Sequence, residues 1–402
     1  MAQNTRPNSA QQELRPPITP ILGVPHYVQR DRRLTNSFAP SRPFWACHTT
    51  AQQELRTTES LYQWAARGLV CMAFFCVSFA AHAQQPTDGP DTVVVAGKGG
   101  RGTSGGRATY RGTIEDYNAD ELTLVLPGGG RRRFPVERIV EVHTAYGPSR
   151  QQADGLYDRK DYAAAAVLYG KALHEESRRW ARRRIIQRMV RCYRALGQYA
   201  RAGEAFLLLS RDDASAIDLG CMPLAWTPQR PSADLERAAG QWIARDDLPG
   251  AVLLGASHLL PVRREVALVR LKYLAQGDGP FGPLARAQLW RAADGVVSDG
   301  ELAARETAIE AMPGRLRGGP YYVLGRAQAA RGQWDGAALA WLRVPILHAG
   351  DRQLAATALF DAGHAMEKLG HTEESDIIYS ELIQKHPRAA AAGEARRRLK
   401  ER

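Results

Sequence analysis

The chain has 402 residues, 44% hydrophobic and 24% charged, with a net charge of +12. That length accommodates two or three domains, and the composition excludes a fibrous or wholly disordered chain. The basic residues are mostly Arg and are spread along the chain, which favours acidic partners in general without marking a nucleic-acid stripe.

Residues 1–60 are rich in Gln, Pro, Ser and Thr and carry no apolar periodicity, so they are expected to be a disordered leader. The leader contains Ala10-Gln-Gln-Glu-Leu-Arg15, repeated at Ala51–Arg56. A mis-assigned translation start is the expected origin of this stretch. Residues 61–83 read as a signal peptide. Arg67 precedes the uncharged run Gly68–Ala81, and Ala81-His82-Ala83 supplies a small-residue cleavage motif. The run spans 14 residues, whereas a membrane-crossing helix needs about 20. The mature chain is therefore expected to begin at Gln84, exported to the periplasm or beyond, and to meet the membrane only during export.

Residues 84–107 hold Gly97-Lys-Gly-Gly-Arg-Gly102 and are expected to be a flexible linker. The glycines lack the Gly-Lys-Ser/Thr ending of a phosphate loop. Residues 108–146 change character. Thr109–Tyr117, Leu122–Leu126, Arg131–Phe134 and Ile139–His143 are short alternating runs, and Pro127-Gly-Gly-Gly130 is a turn signal. Such runs predict consecutive antiparallel strands, with a bulge expected at Gly112. The strand, glycine turn, basic strand, Pro-x-x-x-Ile, strand order resembles the small SH3-like and Sm-like barrels. That resemblance implies a peptide- or RNA-binding module, but export excludes RNA as the expected partner, leaving a capping module with Arg131–Arg133 at a solvated turn.

From residue 150 the chain is Ala-, Leu- and Arg-rich and repeats internally. Four segments align on a corner, then a small residue, then an aromatic. They are Lys160-Asp-Tyr162 with Ala165 and Tyr169, Gly197-Gln-Tyr199 with Ala202 and Phe206, Gly332-Gln-Trp334 with Ala337 and Trp341, and Gly370-His-Thr372 with Ser375 and Tyr379. A small residue early in a second helix lets two antiparallel helices approach, and an aromatic one turn later fills the gap on the same face. Glycine at the corner ends the first helix with positive φ. Ala239-Gly240 with Leu248 and Ala251 gives a plausible fifth pair. Leu284–Trp290 and Glu301–Ala311 read as helices outside the register.

These residues resemble the tetratricopeptide repeat, whose period is about 34 residues. The observed steps are 37 from Ala165 to Ala202 and 38 from Ala337 to Ser375. The resemblance covers residues 150–210 and 318–390 and reaches 211–318 only by continuity. The expected fold is therefore mainly α: a tetratricopeptide-type right-handed α-solenoid over 150–402, preceded by a small antiparallel barrel-like β module. The resemblance also implies a concave groove lined by the first helix of each repeat. Mapped onto this chain, the groove face carries Arg184, Gln187, Arg191 and Arg194, then Tyr322 and Arg326, then Phe360 and His364. Arg holds a carboxylate through two parallel hydrogen bonds, so an acidic polypeptide is the expected ligand, although a solvated basic helix explains Arg178–Arg194 equally well.

No catalytic constellation is present. There is no His-Glu-x-x-His and no Gly-x-Ser-x-Gly, and Glu367 with His364 and His371 lacks converging metal-ligand spacing. Cys192 and Cys221 lack CxxC spacing and are expected to be buried thiols, with a disulfide between them the alternative. The expected function is a protein-binding scaffold of the cell envelope, with no cofactor, no metal and no enzymatic activity. The alternatives are a structural component of an envelope assembly and an envelope hydrolase or accessory subunit with its site in 211–318. The sequence does not specify the partner or the oligomeric state.

Overall fold

The computed structural model of the chain describes residues 89–97, 106–212, 218–293, 297–348 and 350–401. All of these fall in one compact unit, Ala83–Arg402. The leader, the signal segment and the cleavage motif lie outside the described residues.

Among the described residues five antiparallel strands come first: β1 (Asp91–Ala96), β2 (Arg107–Tyr117), β3 (Glu121–Val125), β4 (Arg131–Pro135) and β5 (Ile139–His143). Their order in the sheet is β4-β3-β2-β1-β5. β1 lies inside the segment expected as linker, which corrects that expectation. Asp91-Thr-Val-Val-Val-Ala96 is short and hidden among glycines, but it buries Val93 and Val95 completely and pairs with both β2 and β5. The expected bulge at Gly112 is also displaced. The register of β2 on β3 shifts between Ile114 and Asp116. Gly112 serves a different need, because a Cβ there would stand 2.2 Å from the Val125 carbonyl oxygen. The turn between β3 and β4 falls on the glycines as expected, with Gly128 and Gly129 at φ 99° and 85°.

Fourteen α-helices follow among the described residues: α1 (Pro148–Asp158), α2 (Tyr162–Glu175), α3 (Arg179–Ala195), α4 (Tyr199–Asp212), α5 (Ala233–Ile243), α6 (Pro249–Leu259), α7 (Arg264–Gln276), α8 (Gly282–Ala292), α9 (Asp299–Glu310), α10 (Gly318–Ala330), α11 (Trp334–Leu347), α12 (Arg352–Lys368), α13 (Thr372–Lys385) and α14 (Ala390–Lys400). The four aligned corners share one geometry. Lys160, Gly197, Gly332 and Gly370 have φ of 64°, 72°, 74° and 80°. In each, the next amide donates back five residues: Asp161 to Leu156, Gln198 to Tyr193, Gln333 to Gln328 and His371 to Met366. This is the bond that closes a helix on a left-handed residue. Ala165, Ala202, Ala337 and Ser375 are fully buried, and Tyr169, Phe206, Trp341 and Tyr379 pack above them at 0–5% exposure. The close approach also demands glycine on the facing helix. A Cβ on Gly325 would meet the Trp341 ring at 2.7 Å, and one on Gly363 the Tyr379 ring at 2.5 Å. The fold is a tetratricopeptide-type array of helix pairs with a small antiparallel sheet before it.

The middle of the chain departs from that register but is built of helix pairs too. α5 and α6 approach closely through Gly255, where a Cβ would lie 2.6 Å from the Ala239 carbonyl oxygen. Trp242 lies over Gly203 of α4, and its ring nitrogen donates to Glu204 at 2.7 Å. The sheet is joined to the helices by a small core of its own, in which Trp180 and Ala181 of α3 pack with Tyr117, Ile114, Leu122 and Phe134. Arginines line the polar side of this junction. Arg184 lies 4.3 Å over the Tyr117 ring, Arg150 4.1 Å over Tyr146, and Arg183 pairs with Asp116. Cys192 and Cys221 are buried free thiols.

Candidate functional site

Between α4 and α5 the chain takes neither helix nor strand from Met222 to Ser232, after a 3-10 turn at Leu219–Cys221. Such a segment would ordinarily lie on the surface, because its backbone polar groups need partners. Here its first half is buried: Cys221, Met222, Leu224 and Trp226 are 1–8% exposed, while Pro228–Arg230 and Ser232 are exposed. We call residues 218–232 the strap. Side chains of two helices, α6 and α8, satisfy its backbone. His258 Nε2 of α6 donates to the Pro223 carbonyl oxygen at 2.9 Å. The Ala225 amide donates to Ser257 Oγ at 3.3 Å, and its carbonyl accepts from Gln288 Nε2 of α8 at 3.0 Å and from Arg291 Nη1. Arg291 Nη2 donates to the Thr227 carbonyl at 3.1 Å, and Nη1 also reaches the Ser257 carbonyl at 3.1 Å. The Trp226 ring covers Gly319 at the start of α10, where a Cβ would stand 1.9 Å from the ring.

The electrostatics of this seat follow from burial. Desolvation pulls the His258 pKa down to about 4, against the partial support of the Pro223 carbonyl, and the Arg291 charge adds to the depression. His258 is therefore neutral near pH 7 and donates from Nε2 to the carbonyl. Arg291 is pulled down to about 10, first by desolvation and then by Arg326, and it stays charged. Its charge rests on carbonyl and amide oxygens, with no carboxylate in an ion pair among the described residues.

Two cavities flank the strap. The larger, about 380 Å³, is lined by Arg191 and Arg194 of α3, by Met222 and Leu224 of the strap, by Arg315, and by His348 after α11. The smaller, about 260 Å³, lies toward Tyr199, Gln229, Arg230 and Gln353. They share Leu224, Trp226, Asp351 and Leu354. Arg194 pairs with Asp351, and Arg315 with Asp120 at 2.9 Å and Asp218 at 3.6 Å. Arg191 is exposed and has no ion pair among the described residues. The His348 Nε2 and Arg194 Nε are buried without a hydrogen-bond partner.

The structure divides the sequence-derived face. Arg191 and Arg194 come together at the larger cavity. Arg184 is drawn away to the sheet by Tyr117. Gln187 and Tyr322 are 7% and 3% exposed, and Phe360 stacks on Tyr379 at 5.7 Å, so these three are packing residues rather than groove contacts. The resemblance placed them on the groove face; in this structure neighbouring helices pack over them. Tyr322 donates to Asp361 at 2.9 Å, and Arg326, exposed one turn on, shares the field of Asp361 with His364. His364 Nδ1 meets Glu367 at 2.9 Å. The strap escaped sequence reasoning because it has no periodicity. Its one legible signal was Met222–Ser232 itself, an apolar and aromatic stretch interrupted by Pro223, Pro228 and Pro231.

No protein-family model matches this chain, and no curated protein sequence matches it. Among solved structures it is similar to PilW, a widely conserved type IV pilus biogenesis factor, with 15% identity, 61% of this chain and 96% of that one covered, and a TM-score of 0.27. It is similar to Acl4, an assembly chaperone of RpL4, with 14% identity, coverage of 63% and 96%, and a TM-score of 0.29. The C-terminal part of a TPR repeat-containing protein from Cytophaga hutchinsonii gives 14% identity, coverage of 61% and 98%, and a TM-score of 0.21. Scores this low say nothing about what this chain binds. No described helix is long and apolar enough to cross a membrane.

Proposed function

We propose that this chain is a protein-binding scaffold of the cell envelope, exported by residues 61–83, which receives an acidic polypeptide segment at the cavity of Arg191 and Arg194. The observation that supports this reading is Arg191, an exposed cation without an ion pair among the described residues, which lines a cavity of about 380 Å³. An acidic side chain or chain end entering there gains a charge-assisted bond and loses little solvation. Arg194 serves as a wall, because it is already held by Asp351.

The test is affinity capture from envelope extract with the chain from residue 84 onward. Arg191→Glu is expected to lose the partner, while reversal of Arg396 and Arg397 in α14 leaves capture intact. Equal losses would mean nonspecific attraction to a basic protein, and no loss would remove the cavity from consideration. A second reading, a permanent component of an envelope assembly, has its own observation. Val266, Val269 and Tyr273 form an exposed apolar stripe on α7, at 52–74% exposure. Concentration-dependent self-association of the purified chain, abolished by Val269→Glu, would favour that reading.

A further inference from the structure

The contacts that hold the strap have an unusual chemistry for a structural loop. They address the main chain. Carbonyls at alternate positions, Pro223, Ala225 and Thr227, meet His258, Gln288 and Arg291, and one amide, Ala225, meets Ser257. Every polypeptide carries these groups. The other alternate set, Met222, Leu224 and Trp226, supplies side chains that are buried. Main-chain bonds with pockets for every second side chain are how a binding surface takes up a peptide segment.

Two further observations distinguish a seat from a core. The strap is not enclosed on all sides, because it lines two half-open clefts of about 260 and 380 Å³. The wall over it is also fastened by polar contacts between distant parts of the chain. The Tyr199 hydroxyl donates to Gln353 at 2.6 Å, Arg352 reaches the Tyr162 hydroxyl at 3.4 Å, and Arg194 pairs with Asp351.

We propose that the strap is an exchangeable internal ligand, and that the partner polypeptide takes its seat with its backbone carbonyls received by His258, Gln288 and Arg291. This rests on reading the chain as a polypeptide-binding scaffold. The partner segment carries apolar residues at alternate positions, with an aromatic at the third. It tolerates proline at most positions, because the seat needs an amide hydrogen only where Ala225 now sits. The Arg191 cavity then receives an acidic group beside that segment.

The probe is a synthetic peptide of residues 219–232 with Cys221 replaced by Ser, added to the full chain. A tethered segment competes at an effective concentration of about millimolar, so the wild-type chain binds the free peptide weakly. Leu224→Ala weakens the strap alone and is expected to tighten peptide binding by at least about tenfold through loss of that competition. Adding Arg291→Gln abolishes the gain. A Leu224→Ala chain that keeps its helical spectrum and cooperative melt but binds no tighter overturns the proposal. Should that variant unfold, hydrogen exchange on the unaltered chain decides. The Ala225 and Trp226 amides are expected to exchange through a local opening, about a hundredfold faster than the α6 amides of Leu253 and Leu254. Exchange only with global unfolding overturns the proposal. If the peptide fails in both measurements while envelope capture remains sensitive to Arg191→Glu, the scaffold reading stands and only the exchange is lost.

Discussion

Residues 318–385 and residues 218–292 are both built on antiparallel helix pairs, but different things hold them. In the first region each pair is closed by its own sequence. Gly325 lies beneath Trp341 and Gly363 beneath Tyr379, and each corner glycine has positive φ. In the second region the helices α6 and α8 gather around a segment with no regular structure, and much of what binds it is polar. Trp226 shows how the two regions meet, since its ring lies on Gly319 at the start of the regular pairs. Regular packing is thus local and carried by small residues. The centre depends on contacts between residues far apart in the chain, such as Pro223 with His258, 35 positions away, and Trp226 with Gly319, 93 positions away.

This contrast can be broken or sharpened by substitution. The largest effect is expected from Gly325→Leu and Ala337→Trp, which force side chains into a filled contact. Each should cost about 3 kcal/mol or more, seen as a lower urea midpoint. Gly170, with no atom within 4 Å of an added Cβ, is the control. Gly170→Ala in α2 should stabilise by about 0.5–1 kcal/mol through backbone entropy. A harmless Gly325→Leu would mean that the regular pairs are as loosely filled as the centre.

Acid should act on the centre through His258. His258 is neutral in the folded chain, with its pKa lowered to about 4 from an ordinary 6.5. Between those values the unfolded chain binds the extra proton, so stability falls as pH drops from about 6.5 toward 4. The loss is on the order of 3 kcal/mol. Carboxylates titrate over part of the same range, so the quantity to measure is the difference between wild type and His258→Gln in urea unfolding at pH 7.5 and pH 4.5. A slope identical in both chains would show that His258 is not buried against Pro223.

A smaller effect is expected at Arg291. Replacing it with Ala removes the bonds to the Ala225, Thr227 and Ser257 carbonyls and should cost about 1–3 kcal/mol in the same unfolding measurement. A gain in stability would mean that desolvating this cation costs more than its bonds return. The smallest effect belongs to the first corner. Lys160 adopts φ 64°, where the other three corners have glycine. Lys160→Gly should raise stability by roughly 1 kcal/mol, because a side chain is strained in that region. No change in melting would indicate that the Lys160 corner is already relaxed.

Much of the repeat architecture was legible because it is written in near-neighbour spacing. A corner, a small residue five positions on, and an aromatic one turn later specify a helix pair from local spacing alone. The strands from Arg107 to His143 were legible for the same reason, through alternation and the glycines at 128–130. β1 was not, since a six-residue run beside glycines reads as a linker until β2 and β5 pair with it. The candidate site was legible only in Arg191 and Arg194. The resemblance placed Gln187, Tyr322 and Phe360 beside them, but a resemblance names a face and not what covers it.

The sequence by itself determined that helices would pair, where they would turn, and which small and aromatic residues would lie between them, because those contacts join residues within about forty positions. Only the tertiary structure decided that Met222–Trp226 would be interior, that His258, Gln288 and Arg291 would converge on the carbonyls of the strap, and that Arg194 would meet Asp351. Those contacts span up to 157 positions, as from residue 194 to 351, and depend on how successive pairs stack, which no local pattern records.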